Sequence, residues 1–201
     1  MFKWKLRDVV AMVILAIVCG ALFRLWDVVT TPVFNIAWVP ATALVNGLWW
    51  IAAGLIPLVI QKPGAAFIGE VVAAVVEFAL GGPYGISGIL SGVLQGFGAE
   101  IAFALFRWRR YNAFVLSLSG ILAGVGYCIQ WYVQYKGDTY SFLTILLYVL
   151  ITFVSGVLFG GFLPKWIGNA LVKTGIVRNF ALGKIAGKKT DTNATVSSIG
   201  Q

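Results

Sequence analysis

The sequence predicts an all-α membrane protein, a bundle of six transmembrane helices with both termini cytoplasmic. The chain is 60% hydrophobic and 11% charged over 201 residues, with a mean hydropathy of +0.91. That composition excludes an ordinary soluble domain and leaves no room for a large aqueous one. Six apolar runs approach bilayer length, and thirteen of the fifteen lysines and arginines fall on one side of them. Each run must be helical, because an unpaired backbone is intolerable in lipid.

The runs cover approximately 9–23, 41–60, 64–80, 86–106, 113–133 and 142–163. With six spans, Arg24 and Lys136 lie outside, and the other basic residues, from Lys3 to Lys189, lie inside. The net charge of +8 is then mainly a topology signal, attractive to anionic headgroups rather than to nucleic acid. Residues 1–7 before a long apolar run, without a small-residue cleavage site, read as the start of an uncleaved first helix. Residues 1–168 form a six-helix transmembrane substrate-binding domain, and 169–201 a basic, polar cytoplasmic tail, disordered over 190–201. The Asn193 sequon faces the cytoplasm in this arrangement, so glycosylation is not expected.

Helix 1 carries Ala16 and Gly20 four residues apart, a spacing that serves internal packing or a docking face for a membrane partner. The outer connection at 24–40 is the longest external one. Its Trp26, Phe34 and Trp38 serve as interfacial anchors, or the whole segment folds over an outward-facing cavity as a lid. Helix 2 descends with Asn46, Trp49 and Trp50 roughly 7 to 14 Å below its outer end. Two adjacent indoles on an α-helix point about 100° apart, so at least one faces protein.

Helix 3, GAAFIGEVVAAVVEFAL at 64–80, holds Glu70 and Glu77 with no basic residue among them. A carboxylate at membrane depth costs about 3 kcal/mol, so it faces protein, water or a ligand. Seven residues turn a helix through roughly 700°, which places both acids on one face about 10 Å apart. The helix ends in the turn GGPYG, with Tyr84 at the external surface. Helix 4 carries a close-approach seam of Gly88, Gly92 and Gly96, continued by Glu100, read as an interhelical hydrogen-bonding group. Gln95, level with the space between the two acids, is either helix glue or a ligand contact. The cluster RWRRY at 107–111 anchors helix 4 at the headgroups or docks a partner. Tyr127, Gln130, Trp131 and Gln134 make helix 5 too polar to face only lipid, and helix 6 holds Tyr148, Thr152, Gly156 and Gly160.

The candidate substrate-binding set is therefore Trp38, Asn46, Trp49, Trp50, Glu70, Glu77, Tyr84, Gln95, Gln130, Trp131 and Gln134, a pocket opening outward. Acids without an internal base imply protonated carboxyls, a proton or sodium site, or a cationic ligand. The surrounding aromatic rings favour the last, because a ring face attracts a desolvated cation by about 2 kcal/mol or more. A flat, nitrogen-rich, positively charged molecule satisfies every group. Cys19 and Cys128 are packing residues rather than a disulfide, and with no histidine a zinc, nickel or cobalt site is not expected. The chain has no P-loop and no nucleophile, base and orienting group arranged for catalysis, so it is not read as an enzyme.

The segments KWKLRDVV at 3–10, GEVVAAVVEFALGGPYG at 69–85 and LQGFGAE at 94–100 resemble the substrate-binding S components of energy-coupling-factor (ECF) vitamin transporters, in their YkoE-type branch. The resemblance implies an ECF S-component bundle that binds thiamin or its hydroxymethylpyrimidine precursor, with thiamin as transported ligand and no cofactor. It also implies partnership with a transmembrane coupling protein and paired ABC ATPases, and toppling in the membrane to release the vitamin inward. Helix 1 departs from the family's alanine-spaced docking motif, with Gly20 following Ala16. Glu77 or Glu70 is expected to supply the counter-charge to the thiazolium, with Trp38, Trp49 or Trp50, Tyr84 and Trp131 as aromatic walls. The competing reading is a self-sufficient, proton-coupled secondary transporter for a small cationic heterocycle.

Overall fold

The computed structural model describes residues 3–187. The tail read at 190–201, its Asn193 sequon, and Lys188 and Lys189 lie outside these residues. Six longer helices organise the described chain: α1 (Leu6–Phe34), α2 (Val39–Ile60), α3 (Ala65–Ala79), α4 (Ile86–Leu105), α5 (Ala113–Gln134) and α6 (Phe142–Thr174). No strand occurs among the described residues. All but α3 are long and apolar enough to cross a membrane. The fifteen residues of α3 reach only about 22 Å.

α1 packs on α3, α3 on α4, α4 on α5 and α5 on α6, and α2 fills the space they enclose. Every residue of Ile51–Ile60 is buried, whereas the other long helices turn apolar faces outward, as a lipid-facing ring does. Small residues set the helix spacing. A Cβ on Gly98 would stand 2.1 Å from the Leu122 carbonyl oxygen, and one on Gly126 2.3 Å from that of Leu94, so the α4 and α5 backbones touch. Gly92 approaches the Ala74 methyl and Gly96 the Glu70 stem, which joins α4 to α3. On α1, Ala16 is buried and Gly20 lies against the Ala73 carbonyl and Val76, so this small face is internal packing against α3.

The connection expected as a long loop at 24–40 is mostly helix, because α1 runs on to Phe34. Arg24, Asp27 and Thr30 interrupt the apolar run without interrupting the helix. Asp27 and Thr30 are buried toward the bundle, so their polarity is absorbed by protein rather than by water. Elsewhere α2 tightens to a 3₁₀ helix over Ala43–Trp50, and the facing part of α6 widens to a π-helix over Gly156–Phe162.

Glu100 makes the hydrogen bonds between helices expected of it. Its carboxylate accepts from the backbone N–H groups of Gly64 at 2.7 Å, Ala66 at 3.0 Å and Phe67 at 3.2 Å, and from Trp108 Nε1 at 2.6 Å. Three otherwise unpaired donors at the start of α3 are thereby satisfied by α4. At the same end of the bundle Lys62 Nζ pairs with Asp8 Oδ2 at 2.6 Å and also donates to the Lys3 carbonyl. The boundary drawn at 168 lies within α6, which ends at Thr174 before Gly175 with φ +77°. Beyond it the chain folds back: Val177 is buried, Phe180 and Leu182 pack against the core, and Arg7 lies 5.1 Å over the Phe180 ring.

Candidate functional site

A cavity opens among α1, α2, α3, α4 and α5. Its acidic wall comes from α3. The seven-residue spacing puts Glu70 and Glu77 on one buried face, with Ala74 between them on the lining. Glu70 Oε2 accepts the Ala53 backbone N–H at 2.8 Å, while its Oε1 is buried and has no hydrogen-bond partner. A carboxyl oxygen in that state is available to a donor entering the cavity.

A third carboxyl lies behind this wall. Asp27 on α1 is fully buried, lies beside Glu77, and accepts from Trp49 Nε1 at 3.0 Å. Arg24, one turn earlier, is the cation nearest this pair, and its Nε donates to the Leu80 carbonyl at 3.3 Å. The Trp49 indole is thus fixed by an acid at its edge, with Phe34 6.0 Å and Tyr84 6.4 Å from its ring. Trp50, also buried, tilts against Tyr127 at 5.9 Å. Gln95, Ser91 and Tyr135 complete the polar lining. Burial pushes the Tyr84 phenol above its usual range, reinforced by Tyr127 and then Asp27, so it stays a neutral donor.

Of the candidates named from sequence, Glu70, Glu77, Trp49, Trp50, Tyr84 and Gln95 line this cavity together. The others lie elsewhere. Gln130 is one bond behind the wall, accepting from Ser91 at 2.6 Å and donating to the Ser87 carbonyl and to Gln134, which is itself exposed. Asn46 donates to Tyr148 at 3.1 Å and Thr152 at 3.3 Å. Trp131 is stacked between Tyr148 and Tyr140, and Trp38 is 61% exposed. Sequence reasoning placed Asp27 and Phe34 in a loop and passed over Phe23, Ser91, Tyr127 and Tyr135 as lining residues. A signal was present for three of these: Phe23, Asp27 and Phe34 recur at four and seven residues, one face of a continued helix.

Among the described residues no three His, Cys, Asp or Glu side chains form a metal-holding group. The family described as "ABC-type cobalt transport system, permease component" matches residues 7–126. YkoE of Bacillus subtilis (strain 168), which carries the name HMP/thiamine permease protein, is 34% identical over 193 residues, 94% of this chain and 95% of the relative. A solved structure described as an S-component of an ECF transporter superposes with a TM-score of 0.94 at 32% identity. It covers 96% of this chain and 98% of the other. Sequence and fold therefore agree over nearly the whole length: the chain belongs to the ABC-type cobalt transport permease family, as a YkoE-type S component of an ECF transporter.

Proposed function

We propose that this protein captures thiamin, or its hydroxymethylpyrimidine precursor, from outside the cell and releases it inward when joined to a transmembrane coupling protein and ABC ATPases. In this reading α3 completes a set of six spans with both termini cytoplasmic in the cell membrane, and the cavity opens outward. The observation that carries it is the meeting of Glu70 and Glu77 with the rings of Trp49, Trp50, Tyr84 and Tyr127 in one cavity, with Asp27 buried beside Glu77 behind its wall. The name of the YkoE relative points to the same ligand class.

The chemistry divides between the two ends of thiamin. A thiazolium carries a permanent charge that the Asp27 and Glu77 pair can balance, with indole faces adding cation–π attraction. An aminopyrimidine offers N–H donors to the unpartnered Glu70 Oε1 and ring acceptors to Tyr84 or Gln95. The uncharged hydroxymethylpyrimidine can use only the hydrogen-bonding end of this scheme and leaves the acids without a counter-charge, so thiamin should bind more tightly than its precursor. Gln130, Gln134, Asn46 and Trp131 act in this scheme from behind the wall, by holding Ser91 and the neighbouring helices, and Trp38 acts at the surface.

Calorimetry or native mass spectrometry of the purified protein with thiamin, hydroxymethylpyrimidine, riboflavin and Co²⁺ tests the ligand. Thiamin or its precursor should bind while riboflavin and Co²⁺ do not, and Glu70→Gln or Glu77→Gln should weaken binding. Unchanged affinity in both variants rejects the carboxylate role. Uptake into liposomes should require the coupling protein, the ATPases and ATP. Uptake by the isolated chain under a proton gradient would instead establish a secondary transporter.

A further inference from the structure

The two tryptophans of the cavity wall sit at the end of the 3₁₀ segment Ala43–Trp50 of α2. Runs of 3₁₀ helix this long are uncommon, because the hydrogen-bond geometry is poor and another source of stabilisation is needed. Here the stabilisation comes from one face of α6. Ser155 Oγ donates to the Leu44 carbonyl at 2.7 Å and accepts the Gly47 N–H at 2.8 Å. Those are the two groups that an i→i+3 bond would join, so the hydroxyl is inserted into one turn of the segment. Tyr148 and Thr152, at seven and three residues before Ser155, take the two bonds of Asn46. All four side chains are buried. Gly47 is required for the contact, since a Cβ there would stand 2.2 Å from the Ser155 carbonyl oxygen.

We infer that Ser155 is a positioning residue for ligand binding: its hydroxyl holds the 3₁₀ turn of α2 that aims Trp49 and Trp50 into the cavity. The inference rests on the cavity being the ligand site. Were Ala43–Trp50 to relax to α-helix, the eight residues would rise about 4 Å less and turn about 160° less. Trp49 would then leave Asp27, and Trp50 would leave Tyr127. The signal lies on α6, outside the cavity lining, in a residue that touches no ligand.

The test uses full-length protein labelled with 5-fluorotryptophan, with the Trp49 and Trp50 resonances assigned by single Trp→Phe variants. Ser155→Ala should shift both resonances in the absence of ligand and weaken thiamin affinity by about tenfold, through loss of a preorganised wall. Ser119→Ala is the matched control. Ser119 is equally buried, but its hydroxyl donates only within α5, to the Leu116 carbonyl at 2.8 Å. That variant should leave resonances and affinity unchanged. If Ser155→Ala fails to fold, Ser155→Cys, a somewhat larger side chain and a weaker donor, is read at the same two resonances. Unmoved resonances, or moved resonances with wild-type affinity, overturn the inference. If the unsubstituted protein binds no thiamin, the ligand reading fails and the ligand-free resonances still decide whether Ser155 sets the two indoles.

Discussion

Glu100→Ala isolates the contribution of one carboxylate to the placement of the acidic helix. Four donors converge on it: three backbone N–H groups at the start of α3 and the Trp108 indole. A hydrogen bond to a charged group contributes about 1.5–3 kcal/mol, so four taken separately would exceed 6 kcal/mol. They share one group, however, and the site is only part-buried, so water recovers some of the donors when the carboxylate is removed. The expected loss is about 3 kcal/mol, or roughly 150-fold in the folding equilibrium. Glu100→Gln keeps one acceptor oxygen but turns an amide N–H₂ toward other donors, and should lose about half as much or more. Unfolding in mixed micelles, titrated with denaturing detergent and followed by circular dichroism, measures both. A Glu100→Ala protein within about 0.5 kcal/mol of the parent would refute the cap, since that is the range of inert surface changes.

Other outcomes follow from the same geometry. Gly126→Ala forces a Cβ against the Leu94 carbonyl and should lower stability by about 1–3 kcal/mol or abolish folding, read in the same unfolding assay. Asp27→Asn removes the third carboxyl while keeping its shape. It should weaken thiamin binding in calorimetry more than it weakens binding of the neutral hydroxymethylpyrimidine, and an equal loss for both ligands would argue against a counter-charge role. Tyr111 is held above the usual phenol range by burial and then by the nearby Glu100, and its hydroxyl has no hydrogen-bond partner. The folded state thus favours the neutral phenol, a contribution present below the unfolded value of about 10 and lost as pH rises past it. Tyr111→Phe should match or exceed parental stability at pH 7 and flatten the decline between about pH 9 and 11, measured by unfolding at each pH.

Much of the site was legible before any fold was known. The seven-residue spacing of Glu70 and Glu77 is helix arithmetic, and the absence of a base in that run forces both acids toward protein or ligand. The cavity partners were less accessible. Asp27 reads as a loop residue as long as bilayer length alone ends helix 1, and only the tertiary structure buries it against Glu77 and Trp49, behind the wall. Trp131 carries the same aromatic signal as Trp49 in the sequence. It stacks with Tyr148 at 4.0 Å instead of facing the cavity, a choice made by what α6 presents to it. Sequence also assumed α-helical spacing for Trp49 and Trp50, whereas they end a 3₁₀ segment whose Leu44 carbonyl and Gly47 N–H are bonded by a hydroxyl more than a hundred residues away.

Amino-acid order alone determined the membrane-embedded helical class, the approximate bounds of the helices and the acidic face of α3, because hydropathy and helical phase are sums over neighbours in the chain. Tertiary structure decided which polar groups meet in the cavity and which satisfy one another behind it. Those outcomes depend on the partner a side chain finds across a helix interface, and that partner is set by packing at Gly98, Gly126 and Gly47 rather than by local pattern.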